Sequence, residues 1–483
     1  MNKTTTIIGG ICLLAVSWAA ADHVLLQKDE IRRPYNIVLM VSDDHGTDAL
    51  GCYGNPVVQT PSLDQLASEG TRFTQAFCTS ASCAASRSAI LTGLHNHANG
   101  TYGHVQGAHH FSLLDGIHTL PEFLKKGGYR TGVVGKKHYA PEEQFPFDFD
   151  IPQYLFARDD VQMASACRPF IQQDGPFFLY WCSWNPHRSG SSFDAHPLKP
   201  NRFGNPDQAF PGDCEQTYRD EEVIVPPFMN DTAEARAELA QYYQSVSRLD
   251  RGVGALLQIL KEEGKYENTL IIYISDNGSA FPGSKTTLYE PGMRLPCIVR
   301  SPVQSRRGVV SEALISWVDV TPTVLDFAGI RWPVEEGITF HGQSVRPVLE
   351  QESPGDWKEH IFASHTFHEV TMYYPMRAVR SSRYKFIWNI ASPLSYPSGS
   401  DLWKSITWKE VLSSGSTQFG ARSVAAYLHR PQFELYDLKQ DPNEAENLAE
   451  RPEYQDLVKQ FSSKLKTFQE ETSDPWALKW EHE

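Results

Sequence analysis

The sequence predicts an α/β fold in which a large, mostly parallel sheet flanked by helices precedes a smaller C-terminal α+β subdomain. Three observations carry that reading. Four short apolar runs have the look of strands buried on both faces, and they alternate with helical patterns. A long amphipathic stretch between the third and fourth runs reads as a helix packed on the sheet. After about residue 360 the texture changes to shorter β-like runs, and one amphipathic helix closes the chain.

The chain begins with an export signal. Lys3 supplies a positive start, Ile7 to Trp18 a short apolar run, and Ala19-Ala20-Ala21 a small-residue cleavage site, so residues 1–21 read as a signal peptide. The run is too short for a membrane span, and no later stretch reaches the roughly 18 apolar residues a span needs. The protein is thus expected to be exported, to the periplasm or outside the cell. Residues 22–360 would form the large α/β domain, and 361–483 a subdomain with antiparallel strands and a terminal helix. Seven cysteines follow the signal (Cys52, Cys78, Cys83, Cys167, Cys182, Cys214, Cys297). Their odd number leaves at least one without a partner in the chain, and the absence of CxxC speaks against zinc-ribbon and thioredoxin-like readings.

The first predicted strand is Asn36 to Ser42, followed at once by Asp43-Asp44-His45. The second, Thr131 to Gly135, runs into Lys136-Lys137-His138. Pro176 to Ser183 runs into Asn185-Pro186-His187, and Thr269 to Ser275 into Asp276-Asn277-Gly278. The carboxyl ends of parallel strands are where α/β sheets bind ligands, so four strands ending in acids, histidines and lysines predict one shared site. The covering helix spans Thr232 to Lys261, with Asp231 or Thr232 as N-cap and a stripe through Leu239, Tyr242, Val246, Leu249, Val253 and Leu256. Beyond residue 360, β-like runs fall at Arg377 to Arg380, Tyr384 to Trp388 and Phe433 to Asp437. Leu457, Phe461, Leu465 and Phe468 share one face of the last helix. Pro393 to Ser400 and Ser413 to Thr417 read as surface loops.

The residue types suggest a chemistry. Cys83-Ala-Ala-Ser-Arg87 leads into a short helix that Gly93 can terminate, which puts Cys83 near a helix N-terminus with Arg87 on its face. Such a thiol is expected to be reactive; taken alone, the segment reads equally well as a buried small-residue turn. Asp43-Asp44 and Asp276-Asn277 offer only oxygen ligands, suited to a hard cation such as Ca²⁺ or Mg²⁺. Either pair alone would be ordinary strand-end capping, and it is their number that favours a metal. Lys136, His138, His187, Lys285 and Arg87 would form a local positive pocket in a chain of net charge −14. That charge argues against binding nucleic acid, or a long basic groove for any polyanion.

These segments resemble the formylglycine-dependent sulfatases of the alkaline-phosphatase-like superfamily. The motif C-x-[PA]-S-R with L-T-G appears as Cys83 to Arg87 and Leu91-Thr92-Gly93. G-Y-x-T with G-K-x-H appears as Gly128 to Thr131 and Gly135 to His138. S-D-N-G is Ser275 to Gly278, and the closing motif runs through Glu434 to Leu438, Asp441 to Glu444 and Asn447-Leu448. Within the family, Tyr102-Gly103, His109 to Phe111, Phe145 to Phe149 and His368 to Arg377 look most like the sulfamidase (heparan N-sulfatase) branch.

The resemblance implies that Cys83 is oxidised to formylglycine by a formylglycine-generating enzyme and that its hydrate attacks sulfur. One divalent cation, Ca²⁺, would be held by Asp43, Asp44, Asp276, Asn277 and the modified residue 83. His187 would protonate the leaving group, Lys285 bind sulfate oxygens, His138 take the proton of the second hydroxyl so that sulfate is eliminated, and Arg87 and Lys136 hold the diol. His368, Glu369 and Arg377 would contact the sugar. The implied substrate is the terminal sugar of a sulfated saccharide, glucosamine N-sulfate of heparan type, with an O-sulfated glycan as the alternative. A phosphonate or phosphodiester hydrolase and an inactive binding relative are the other readings, and a homodimer is compatible with all of them. Ala85 stands where most members have Pro. Lys285 stands where the sulfamidase branch is expected to carry Arg, a swap of a bidentate fork for a point charge that bears on N- versus O-sulfate specificity.

Overall fold

β1 (Asn36–Ser42) sits between two strands and between two layers of helices, so all five residues Ile37 to Val41 are fully buried. Each such side chain contributes about 1.5–3 kcal/mol of burial. The computed structural model describes residues 34–188, 202–206, 208–211, 214–331 and 337–482. The expected signal peptide lies outside the described residues.

With β2 (Thr71–Phe77), β3 (Arg130–Gly135), β4 (Phe149–Pro152), β5 (Phe177–Cys182), β6 (Thr269–Ser275), β7 (Cys297–Arg300) and β8 (Val309–Ser316), β1 forms an eight-stranded sheet. Its order is β4-β3-β5-β1-β6-β7-β2-β8. β7 runs antiparallel to both neighbours, and every other pairing is parallel. The strands that the sequence does not announce, β2, β4, β7 and β8, lie towards one or other edge of the sheet. β8, at the edge, alternates buried and exposed residues over its first half and so lacks a continuous apolar run.

Register positions the site. Ser42 pairs with Ser275, while Val41 and Gly135 both pair with Cys182. The residues after β1, β3, β5 and β6 therefore leave the sheet at one level. On one face Val38 and Met40 pack with Leu249, Val253 and Leu256 of the helix Ala233–Glu262; on the other Ile37, Leu39 and Val41 join Ile90, Leu91, Val324 and Leu325. Thr232 caps the long helix by accepting from the amide of Ala235.

The second sheet follows. β9 (Ile361–His365), β10 (Met376–Arg380), β11 (Tyr384–Asn389) and β14 (Phe433–Asp437) pair antiparallel in the order β14-β11-β10-β9. The two-residue strands β12 (Gln418–Phe419) and β13 (Arg422–Ser423) form a separate hairpin. One face of the four-stranded sheet carries Phe386, Trp388 and Leu435 against Val458, Phe461 and Leu465 of the helix Gln455–Glu471. The other face sends Ala363, Met376, Ala378 and Ile387 into the core shared with the large sheet, and Tyr35–Glu483 forms one compact unit. Among the described residues no helix is long and apolar enough to cross a membrane.

Candidate active site

Asp43 and Asp44 leave β1 directly, and Asp44 takes a left-handed backbone conformation (φ 65°). His138 (φ 52°) and Thr286 (φ 70°), on two other site loops, share that region, which non-glycine residues enter only where the surroundings hold them. Thr286 is held by its amide donating to Ala81 O (2.8 Å) and by the hydroxyl of Tyr396, 2.8 Å from Oγ1. The side chains of Asp44, Lys285 next to Thr286, and His187 meet at one point.

Asp44 is the centre of that point. Its Oδ1 accepts from Asn277 Nδ2 at 2.7 Å, and its Oδ2 from Lys285 Nζ at 3.0 Å and His187 Nδ1 at 2.7 Å. The Cys83 thiol lies 3.8 Å from Oδ1. Lys136 Nζ pairs with Asp43 Oδ2. Arg87 donates to Asp276 Oδ2 from Nε (2.9 Å) and to the carbonyl of Lys136 (3.1 Å), tying the helix Cys83–Thr92 to β6 and to the loop after β3. Asp276 Oδ1 accepts the amides of Asp44 and Asn277. His187 engages Asp44 through Nδ1, which leaves Nε2 as the nitrogen free for a substrate.

The electrostatics follow from burial and charge. Burial opposes ionisation of Asp43, but Lys136 first, then His187 and Arg87, hold its carboxyl well below the usual carboxylate range. Burial raises Asp276 to about 7, the neighbouring Asp43 adding to the effect. Two buried acceptors, Asp43 Oδ1 and Asn277 Oδ1, have no hydrogen-bond partner among the described residues. Leaving such atoms dry costs about 1–3 kcal/mol each, and a cation between the two acid pairs would satisfy both. Donor atoms of Asp43, Asp44, Cys83 and His187 lie within 4.8 Å of one another. One expectation is corrected here. Burial pushes the Cys83 thiol well above its ordinary value, outweighing Lys136 and Lys285, so as a plain thiol it is not activated.

The site opens into a cavity of about 820 Å³ lined by Cys83, His104, Lys136, His138, His187, His368, Glu369 and Asp401, among others. His138 Nε2 lies 2.7 Å from Gln106 Oε1. His368, Glu369 and Arg377, paired in the sequence reading, separate here. His368 lines the cavity, with Nδ1 2.9 Å from the hydroxyl of Ser82, the residue before Cys83. Glu369 accepts the amide of Ser400 (2.9 Å) at the rim. Arg377 is not brought to the cavity: it is buried and forked onto Asp474 (2.6 and 3.0 Å), with Trp476 beneath it.

Among the cavity residues that sequence reasoning missed, Gln106 lies against His138, and two more stand close to the predicted set. His104 packs its ring 4.0 Å from that of His368, and Asp401 accepts from Lys285 Nζ at 2.8 Å. The segment Pro393 to Ser400, expected to be a surface loop, contains the buried Tyr396 and delivers Asp401 to the site. The signal that could have found it is the Tyr396, Gly399, Asp401 texture inside a Pro- and Ser-rich stretch.

Comparison with known proteins agrees with this geometry. The family model described as Sulfatase matches residues 35–330, and one described as "N-sulphoglucosamine sulphohydrolase, C-terminal" matches 283–396. The chain is 38% identical to the N-sulphoglucosamine sulphohydrolase of Homo sapiens, over 92% of this chain and 91% of that protein. It is 29% identical to an ulvan-active sulfatase of Formosa agariphila, over 90% and 80% of the two chains. A solved structure of a protein in complex with its substrate D-glucosamine-2-N,6-O-disulfate shares the fold, with a TM-score of 0.67 at 24% identity over 92% of this chain and 99% of that one. The family match across the catalytic strands and the extent of the human alignment place the chain in the sulfatase family, with the alkaline-phosphatase-like fold that the sequence motifs imply.

Proposed function

We propose that this sulfatase removes sulfate from the non-reducing-end sugar of a sulfated saccharide, with glucosamine N-sulfate of heparan type as its substrate. The observation that carries the reading is Cys83 on the cavity floor, 3.8 Å from Asp44 and grouped with His187 and Lys285. The human relative named for the same sugar supports the N-sulfate assignment.

A hard dication such as Ca²⁺ fits the oxygen-rich pocket and the two orphaned acceptors; Asp43, Asp44, Asp276, Asn277 and residue 83 would hold it. When bound it supplies positive charge that favours an ionised nucleophile and offsets charge on the sulfuryl group. Cys83, oxidised to formylglycine by a formylglycine-generating enzyme, supplies the nucleophilic hydroxyl. Lys285 and Lys136 bind sulfate oxygens and Arg87 fixes Asp276. His187, held by Asp44 through Nδ1, gives the leaving nitrogen its proton from Nε2. His138, oriented by Gln106, takes a proton so that the aldehyde re-forms. His368 and Glu369 shape the sugar side. Export by the N-terminal segment, a catalytic domain ending near residue 360 and a homodimeric state belong to the same reading.

The test has two parts. Mass spectrometry of the Cys83 peptide, from protein made with the modifying enzyme, is expected to show formylglycine. Sulfate release is expected from glucosamine N-sulfate in preference to glucosamine 6-O-sulfate or galactose sulfates, and Cys83→Ala abolishes it with the fold intact. Thiol throughout the preparation, or release from O-sulfates alone, overturns the reading. The second of those outcomes is the one Lys285 in place of Arg would favour.

A further inference from the structure

Among the described residues three acids line the cavity, Glu142, Glu369 and Asp401, and Asp401 is the one whose carboxylate is paired with Lys285, where the sulfate chemistry does not explain it. It lies outside the group of potential metal ligands, Asp43, Asp44, Cys83 and His187. It reaches the site from the second half of the chain, 116 residues beyond Lys285. Its Oδ2 accepts from Lys285 Nζ at 2.8 Å, and Lys285 in turn reaches Asp44 Oδ2 at 3.0 Å and lies 3.5 Å from His187 Nδ1. Its Oδ1 accepts the amide of Leu402 at 2.8 Å and stands 3.9 Å from His368 Nε2. The side chain is 14% exposed, towards the cavity. Space has been left for it, since a Cβ on Gly399 would come within 2.9 Å of Asp401 Oδ1 and 3.0 Å of the His368 ring.

A carboxylate at the edge of a pocket that receives a sulfate anion repels its ligand and, although it keeps Lys285 protonated, offsets the field that lysine presents to the ligand. Such a cost is offset only if the substrate brings a donor to the same place. The two classes of sulfated sugar differ at one atom. A sulfamate nitrogen carries a hydrogen and becomes an amine on cleavage, whereas a sulfate-ester oxygen carries only lone pairs. A charged acceptor beside the proton donor His187 would attract the first and repel the second, and hydrogen bonds to a charged group are about twice as strong as neutral ones.

We propose that Asp401 selects N-sulfate over O-sulfate by accepting the N–H of the scissile sulfamate and then of the amine it becomes. The inference rests on the sulfamidase reading above. As the sulfuryl group passes to the nucleophile at position 83, the N–S bond breaks with its electron pair left on nitrogen. That nitrogen takes one proton from His187 Nε2, while its original hydrogen stays directed at Asp401. The same carboxylate then holds the free amine, which gains a further proton from solvent and leaves as ammonium.

The test compares wild type, Asp401→Asn and Asp401→Glu, each carrying formylglycine, on glucosamine N-sulfate and on an aryl sulfate ester, with glucosamine and N-acetylglucosamine as competing inhibitors. Asp401→Asn is expected to lower the ratio of kcat/KM for sulfamate over ester by tenfold or more. It is also expected to abolish the preference for glucosamine over N-acetylglucosamine, and Asp401→Glu to restore part of both. An equal fall on the two substrates, with the inhibitor preference intact, would show that Asp401 only positions Lys285 and would overturn the proposal. Where ester turnover is too slow to measure, the inhibitor preference alone decides. Wild-type protein inactive on glucosamine N-sulfate but active on the ester would instead remove the sulfamidase reading beneath the proposal.

Discussion

Asn277 shows how much of the site one atom can report. Its Nδ2 is shared between Asp44 Oδ1 and the carbonyl of Gly278, while its Oδ1 is buried with no donor among the described residues. Asp43 is similar, one oxygen on Lys136 and the other 3.7 Å from His187 Nδ1 with no hydrogen bond among the described residues. Packing two dry acceptors beside buried carboxylates is unfavourable until a cation joins them, so ion binding is coupled to folding stability. Ca²⁺ is therefore expected to raise the melting temperature of the protein by a few degrees. In Asn277→Ala the same concentration should give less than half that shift. Scanning fluorimetry checks this without any turnover, and an undiminished shift in the variant would place the ion elsewhere. Arg87 makes the complementary point. Its guanidinium reaches both Asp276 and the carbonyl of Lys136, a span no ammonium can cover, so Arg87→Lys should lose activity and stability together.

At the scale of elements, Arg377 on β10 clamps the end of the helix Gln455–Glu471 through Asp474. Burial alone would raise the Asp474 pKa, but the guanidinium of Arg377 overcomes it and holds the group at about 2. A depressed carboxylate stabilises the fold fully above its unfolded value of about 4 and loses that contribution as pH falls through its folded value. Arg377→Met strands the buried Asp474 at a cost of about 3–5 kcal/mol. The gap between variant and wild type in chemical denaturation should thus be full above about pH 4 and narrow towards pH 2. Activity well below the melting temperature should change by no more than a few-fold, since Arg377 does not line the cavity. A selective rise in KM with unchanged stability would return Arg377 to the substrate. The sequence misplaces this residue because an Arg beside His368-Glu369 looks the same whether its partner is a sugar acid or a distant Asp474. β1 and β6 were legible end to end because burial on both faces leaves an unbroken apolar run followed by acids. β8 was not, because an exposed edge interrupts its pattern, and Asp401 was not, because only the packing of the loop's own Tyr396 against Thr286 brings it to Lys285.

At the scale of the molecule, the net charge of −14 and the cationic pocket act over different distances. Lys136, Lys285 and Arg87 are buried or nearly so and are each engaged by an acid, so their field is spent within the cavity. A polysulfated chain approaching from solvent meets the long-range field of a molecule of net charge −14 first, and that repulsion is screened when salt shortens the Debye length from about 30 Å at 0.01 M to about 8 Å at 0.15 M. For a highly sulfated oligosaccharide, kcat/KM should therefore rise as salt increases over that range. For the monosaccharide glucosamine N-sulfate, whose single charge is recognised inside the pocket, the same change should have little effect. A protein that bound the chain along a basic groove would behave in the opposite way, losing affinity steeply with salt as counterion release weakens. Initial rates on the two substrates across the salt series separate the cases. A steep fall for the oligosaccharide would point to a basic groove on the surface and would argue against an enzyme that engages one terminal sugar at a time.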